Sequence, residues 1–465
     1  MLLVKPTANY FFLCVVCLFS FCNAFTQENS PFSRYGLGDL YPQQNISTRG
    51  MGGISAGVTD AQSINTLNPA SYGYLSLVTY DLGLSIDART LRSANPVNKY
   101  NSTNFLPSYI QLGMPLNRKG ASLVFGLRPY TRINYSVEEG SRIYYDSLGI
   151  SDSLHTLYEG NGGLNQAFIG LAKRWGDPVK DNFNFAIGVN GGYEWGSKYT
   201  STKIDFPADS SYQNWYRSNS TDTTHYGSLF LSPGILAHFL VGRKTNPLTK
   251  NIETYDLNLG ASGTLQQSLN ASRTVTSQTF QYADDGSMIP IDSVAKTPQI
   301  KGKITVPLTY TAGFVLNKTI GNSIFQVRKW SIGADYTSTK WTDYRYYGEP
   351  DQLNDSWFLH SGISFSPDPL SGKGMFTTGT YSLGFYTGKD YINADGNGYK
   401  VQAYTFGFSF NLRKFRSYDK QFTKINTSFE YGKRGTGVNN VTENFFKLSV
   451  GLSLSDIWFI KRRYD

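Results

Sequence analysis

Between Gln402 and Leu412 the chain alternates residue by residue, and this period of two limits its fold more than any other feature. Tyr404, Phe406, Phe408, Phe410 and Leu412 fall on one side; Ala403, Thr405, Gly407, Ser409 and Asn411 fall on the other. Successive side chains point to opposite faces in a β-strand, so the segment predicts a strand with one apolar and one polar face. The pattern recurs. Tyr80, Leu82, Leu84 and Ile86 alternate with Asp81, Gly83, Ser85 and Asp87. Ile332, Ala334 and Tyr336 alternate with Gly333, Asp335 and Thr337, and Phe446 to Leu454 alternate with Lys447, Ser449, Gly451 and Ser453. The polar face is built of small residues with few charges, whereas a soluble sandwich would carry more Lys and Glu there. A narrow lumen on one side and lipid on the other account for both faces. The expectation is an all-β chain, a transmembrane antiparallel β-barrel. Its lumen-facing candidates are Asp81, Asp335, Lys447 and His360, the last sharing a polar face with Gly362 and Ser364.

Composition agrees with this reading. The chain has 33 Tyr, 30 Phe and 46 Gly with only 17% charged residues, the reverse of a disordered balance. A mean hydropathy of −0.33 excludes a helical membrane bundle. Fourteen strands are predicted, near 75–88, 104–114, 121–136, 164–175, 184–198, 227–241, 253–268, 304–318, 324–341, 356–366, 377–388, 399–412, 421–434 and 444–456. Short basic or turn-forming connections alternate with long polar ones, of which 137–163, 199–226 and 269–303 are the largest. Short turns on the periplasmic side and long loops outside are usual for such barrels, and an even strand count puts both ends in the periplasm.

Residues 1–24 read as a cleaved leader. Lys5 is followed by an apolar run from Tyr10 to Phe21 and then by Cys22-Asn23-Ala24. A lipoprotein site is not expected, because Phe21 precedes Cys22 where a small residue is needed. Cys14, Cys17 and Cys22 all lie in this leader, so the remainder has no disulfide and no cysteine chemistry. The predicted organisation is a signal peptide at 1–24, an N-terminal hatch or plug at 25–74, and a barrel with a C-terminal insertion strand and short basic tail at 75–465. The expected location is the outer membrane of a Gram-negative cell.

The stretch before the first strand is the most distinctive. It carries Arg49-Gly50-Met51-Gly52-Gly53, then Ala56-Gly57-Val58-Thr59-Asp60-Ala61, then Asn68-Pro69-Ala70. Glycines suit a backbone turning in a crowded lumen, and the residue before Pro69 is biased away from helix. This glycine run, Asp-Ala step and Asn-Pro-Ala ahead of a barrel resemble the FadL family of outer-membrane transporters. The resemblance implies a fourteen-strand barrel that takes up hydrophobic molecules, with Arg49, Gly50, Gly52, Gly53, Asp60, Asn68, Pro69 and Ala70 in its plug. It also implies a lateral opening at the third strand, where Arg128-Pro129 occurs, with Pro107 on the second strand. Proline removes a ladder donor. The prolines therefore mark either a wall gap or fraying above the lipid. After the last strand a tail, Ile457 to Asp465, carries Lys461, Arg462 and Arg463, similar to FadL-like relatives among which are accessory subunits of secretion or barrel-assembly complexes.

Catalytic chemistry is not expected. Gly53-Ile54-Ser55-Ala56-Gly57 matches a hydrolase elbow pattern but lacks the strand before and helix after that an elbow needs. His155, His225, His238 and His360 are dispersed, and the acids Glu138, Glu139, Asp146, Asp152 and Glu159 read as a solvated loop. No metal, cofactor or nucleic-acid partner is expected. The basic residues near the predicted inner turns, among them Arg118, Lys119, Lys173, Arg174, Arg243 and Lys244, fit an acidic partner or headgroups, and equally plain topology control. Two functions follow: passive uptake of a hydrophobic small molecule through a plugged lumen, or a non-transporting accessory subunit of an outer-membrane secretion or barrel-assembly complex. The first predicts an apolar pocket beside the plug, the second a polar, blocked interior. Partners are then membrane lipid, a hydrophobic ligand, or envelope proteins at the rim or loops.

Overall fold

The computed structural model describes residues 30–456, except for short stretches at 118, 146–149, 179–180, 207–216, 246, 248–250, 322–325, 371–373, 395 and 414–421. The predicted leader and the basic tail lie outside the described residues, as do Arg118, Asp146 and the segment holding Lys414 and Arg416. A 3-10 turn (Pro31–Arg34) comes first, followed by a two-residue strand β1 (Asp39–Leu40) and one helical turn α1 (Ile46–Arg49). The wall begins with β2 (Val78–Ala94), β3 (Val97–Pro115), β4 (Ala121–Tyr145) and β5 (Ile150–Trp175). It continues through β6 (Phe183–Asp205), β7 (Arg217–Thr245) and β8 (Ile252–Thr264). A hairpin of β9 (Gln267–Tyr282) and β10 (Met288–Val306) then leaves the wall. The wall resumes at β11 (Thr309–Gly321), which pairs with β8, and at β12 (Gln326–Thr339). Two short strands, β13 (Arg345–Tyr346) and β14 (Glu349–Pro350), precede β15 (Ser356–Phe365) and β16 (Thr380–Ala394). The last strands are β17 (Asn397–Arg413), β18 (Phe422–Arg434) and β19 (Val441–Asp456).

β19 pairs with β2 from Asp456↔Val78 to Val441↔Ser93, which closes the wall. Fourteen strands make the barrel, each at a place where alternation predicts one. Closure is what lipid demands: hydrocarbon cannot bond an open strand edge, so all ladder groups must pair with one another. The alternation resolves as expected. Tyr80, Leu82 and Leu84 are exposed outward, while Asp81, Ser85 and Asp87 are buried inward. Outward aromatics include Phe183 low on β6 and Tyr193 and Trp195 above it, with Tyr336 stacked on Trp357 across β12 and β15.

The long polar stretches differ from expectation. Residues 137–163 are not a loop: β4 and β5 stay paired up to Tyr145↔Ile150. β6 and β7 likewise pair up to Ile204↔Ser218, and 269–303 is largely the β9–β10 hairpin. The upper part of β7, Arg217 to Gly227, keeps β6 on one edge and takes β9 in place of β8 on the other. The reason is physical. Alternation arises only where the two faces of a strand meet unlike surroundings, and beyond the apolar mouth these overhangs have water on both faces, so strand reads as polar loop.

Residues 30–74 lie inside the wall. Near the overhanging end, Phe32 and Leu37 join Trp341, Tyr344, Tyr391 and Tyr399 in an apolar core that spans the mouth. At the other end a 3-10 helix, Pro69–Tyr74, rests against β5 and β6.

Candidate functional site

The interior is built from small polar residues of the wall meeting the backbone of residues 39–70. Asn45 caps α1 by accepting from the Ser47 N–H, and its amide donates to Asp81 Oδ2 at 2.7 Å. Ser453 also donates to Asp81. Arg49, at the end of α1, reaches Ser85 and Ser449 through Nη1 and the Pro42 carbonyl through Nη2. With Nε donating to the Gln44 carbonyl and Nη1 also within 3.5 Å of the Ser108 hydroxyl, this buried cation is satisfied by hydroxyls and carbonyls rather than by a carboxylate.

Below Arg49 the segment touches the wall backbone to backbone. Gly52 donates to Thr405 Oγ1 at 2.9 Å and its carbonyl accepts from His360 Nδ1 at 2.6 Å. Facing a carbonyl, Nδ1 carries the ring proton. Gly52 has φ +73 and Gly53 φ +78, left-handed values that a side chain resists. Opposite them, wall glycines leave room. A Cβ at Gly384 would stand 1.9 Å from Gly52 N, at Gly362 2.4 Å from Met51 O, and at Gly260 1.8 Å from Ala56 O. Gly50 meets Gly407 in the same way, and Pro69 meets Gly188. Gly333, Gly362 and Gly384 are in register on adjacent strands, so this is a belt of removed side chains.

Asp335 accepts from the Ala56 N–H at 2.7 Å, from the Ser55 N–H, and from the Ser55 hydroxyl at 3.3 Å. The structure therefore brings Ser55, Asp335 and His360 to one place, since Asp335 and His360 are register partners. The roles are those of a clamp: the carboxylate holds two backbone donors, and the imidazole holds a carbonyl. Asn68 accepts from the Ala70 N–H and donates to the Ala56 carbonyl, so Pro69 and Ala70 open the 3-10 helix under its cap. Asp60 pairs with Lys424 at 2.8 Å. Burial raises its pKa, but Lys424 and Arg328 outweigh that and leave it below the usual carboxylate value. Lys447 pairs with another wall residue, Glu430, at 3.2 Å.

Higher up, two arginines grip β1. Asp39 lies 2.9 Å from Arg89 and 3.0 Å from Arg434. Asp87 shares Arg89, and Asp390 shares Arg434. Burial pushes the Asp39 carboxyl up, yet Arg434 and Arg89 prevail and bring it to about 2 against an ordinary 3.8. A depressed folded-state value stabilises above the unfolded pKa and is lost as pH falls through the folded one. Docking of β1 should therefore hold unchanged from pH 8 to about 4. It should weaken by about 2 kcal/mol between there and pH 2, read as protease access to residues 30–43.

The wall has one short seam. β3 and β4 stay in register only from Pro115↔Ser122 to Ile110↔Leu127. Pro107 and the Arg128-Pro129 pair lie immediately beyond that last pair. β4 then takes β1 instead, with Asp39↔Arg132 and Leu40↔Thr131, and Gln43 donates to the Pro129 carbonyl. Leu40 is exposed at this point and also borders the interior cavity. Arg128 itself turns inward to Gln166 at 3.0 Å and Thr66 at 2.9 Å.

A cavity of about 290 Å³ remains between the apolar mouth and the glycine belt. It is bordered by Tyr41, Arg49, Arg434 and Lys447 on one side and by Thr309, Thr311, Thr337 and Thr339 on another. Among the described residues no group of His, Asp or Glu is placed to hold a metal ion. Sequence reasoning missed the Asp39 grip and the purpose of the wall glycines. Glycine recurring on the polar face of neighbouring strands (Gly333, Gly362, Gly407) was the available signal.

Comparison with known proteins follows this geometry. A crystal structure of a Pseudomonas aeruginosa FadL homologue aligns with 91% of this chain and 100% of its own, at 12% identity and a TM-score of 0.51. The Pseudomonas putida toluene transporter TodX aligns with 90% of this chain and 100% of its own at 13% identity and TM-score 0.49. The Ralstonia pickettii toluene transporter TbuX covers 89% of this chain and 98% of its own at 14% identity and TM-score 0.45. The likeness to the FadL homologue thus holds for the fold, a fourteen-strand antiparallel β-barrel. No curated protein matches the sequence. Residues 8–465, nearly the whole chain, match the profile of the family BamG, and the protein therefore belongs to the BamG family.

Proposed function

We propose that the protein is a non-transporting accessory barrel of an outer-membrane barrel-assembly complex, with residues 25–74 as a fixed plug rather than a moving hatch. The observation that carries this reading is the belt where the segment's backbone meets wall glycines with no space for even a methyl group. A plug seated this way, with Asp335 and His360 bonded to its backbone, has no slack through which a solute could pass. The remaining cavity sets buried ion pairs and threonines beside aromatic and aliphatic residues such as Leu67, Trp341, Phe358 and Phe445, so it is a mixed rather than a purely apolar pocket. Membership of the BamG family favours the same reading. Its working surfaces are then outside the lumen: the strand overhangs, the basic rim and the lipid-facing wall.

The second reading is uptake of a hydrophobic small molecule through the wall. Its support is the early end of the β3–β4 register at Ile110↔Leu127, beside Pro107 and Pro129. One experiment separates the two. Mild-detergent isolation followed by mass spectrometry of lipids and proteins should recover a second integral barrel in fixed ratio, and depletion of this protein should lower other outer-membrane barrels. Recovery of the protein alone with a hydrophobic ligand, and normal levels of other barrels on depletion, would favour uptake and overturn the accessory role.

A further inference from the structure

The lumen cavity has a chemistry that neither reading uses. We infer that it binds a small, uncharged, polyhydroxylated ring, a hexose unit either free or carried as the headgroup of an outer-leaflet glycolipid. The inference does not rest on the accessory role.

Size comes first. At about 290 Å³ the cavity lies at the lower end of small-molecule pockets and has room for a hexose-sized ring. Its wall is a patch of hydroxyls spread over β8, β11, β12 and β15: Thr264, Thr309, Thr311, Thr337, Thr339 and Ser356. They are arranged in cross-strand pairs, Thr309 with Thr339 and Thr311 with Thr337, each at 2.9 Å. One hydroxyl in each pair donates to the other. The second hydroxyl's hydrogen and the remaining lone pairs stay available, so the wall can both donate and accept. A ring of hydroxyls needs that dual capacity.

The charged side of the cavity argues for a neutral ligand. Arg434 is matched by Asp39 and Asp390, Arg89 by Asp39 and Asp87, and Lys447 by Glu430. Arg49 and Arg128 also border the space without a carboxylate, but they already donate to Gln44, Ser85, Ser449 and Pro42 and to Gln166 and Thr66. A charged ligand would therefore have to displace buried partners on every side, which is costly. Trp341, Phe358 and Tyr386 also border the space and offer apolar faces to the C–H side of a sugar. Access has a route. Leu40 to Gln43 and Tyr130 border the cavity, and the same residues line the seam that opens above Ile110 and Leu127. A headgroup could enter sideways there from the outer leaflet.

The test uses full-length mature protein in a zwitterionic detergent free of sugar. Calorimetric titration would be made with methyl α-glucoside as the free sugar, with octyl glucoside as the headgroup mimic, and with an octyl zwitterion as the chain control. Saturable binding of either glucoside, but not of the control, is expected. Binding of both assigns a free-sugar site; binding of octyl glucoside alone assigns the headgroup. Replacing Thr311→Val and Thr337→Val together keeps volume and strand preference while removing two hydroxyls, and should weaken binding about tenfold. Thr309→Val gives a second route should the pair fail to fold, as judged by heat-modified gel mobility. Absence of saturable glucoside binding, equal binding of the control, or unchanged affinity in a folded variant would overturn the site.

Discussion

Gly384→Val is expected to drive the N-terminal segment out of the lumen while the barrel itself still closes. The Cβ of any residue at this position would lie 1.9 Å from the Gly52 nitrogen and 2.5 Å from its Cα, both backbone atoms that no rotamer can move away. Gly52 is itself fixed, by its bond to Thr405 and by the hydrogen bond His360 donates to its carbonyl. Overpacking by a few carbons typically costs about 1–3 kcal/mol, and a collision with clamped backbone belongs at or above the top of that range. The strand itself loses nothing, since valine suits a strand better than glycine does. Two measurements follow. The folded wild-type barrel should show no steady conductance in a planar bilayer and protect residues 30–74 from protease; the variant should conduct and lose that protection. A variant that remains closed and protected would show that the segment adapts, and the fixed-plug reading would fall with it.

Asp39→Ala has the second large effect, on the seam rather than the belt. Asp39 is the residue through which both Arg89 and Arg434 hold β1, and β1 is what β4 pairs with once β3 has parted from it. Breaking a buried ion pair from one side costs about 3–5 kcal/mol; the arginines keep Asp87, Asp390 and Glu443, so about 3 kcal/mol is expected. That is roughly a hundredfold in a local opening equilibrium. Hydrogen exchange at residues 30–43 should therefore quicken about a hundredfold, while β16 to β19 exchange as before. Uniform acceleration across the wall would mean that Asp39 supports the whole barrel and not the seam.

The legibility of this chain divides by environment. Where a strand has lipid on one face, as in Tyr404 to Leu412, the alternation is strict and locates the strand. Where β4 and β5 rise out of the bilayer, both faces are wet, no period survives, and the same backbone reads as loop. Asp81, Asp335 and His360 were identifiable as inward-facing because they sit on the polar phase of such strands. Their partners were not, because Asn45, Ser55 and Gly52 reach them across large sequence separations.

The long polar stretches proved to be largely strand, but the period of two and the short turns pointed by themselves to a closed barrel of fourteen strands. They do so because hydrocarbon leaves backbone groups no other means of bonding and writes its own boundary into every second residue. The tertiary structure decided what fills the barrel. Only when the wall is closed do glycines from separate strands align into a belt, and only then do Arg89 and Arg434, far apart in the chain, meet at Asp39. Alternation records what each residue faces; it carries no information about which distant backbone comes to lie against it.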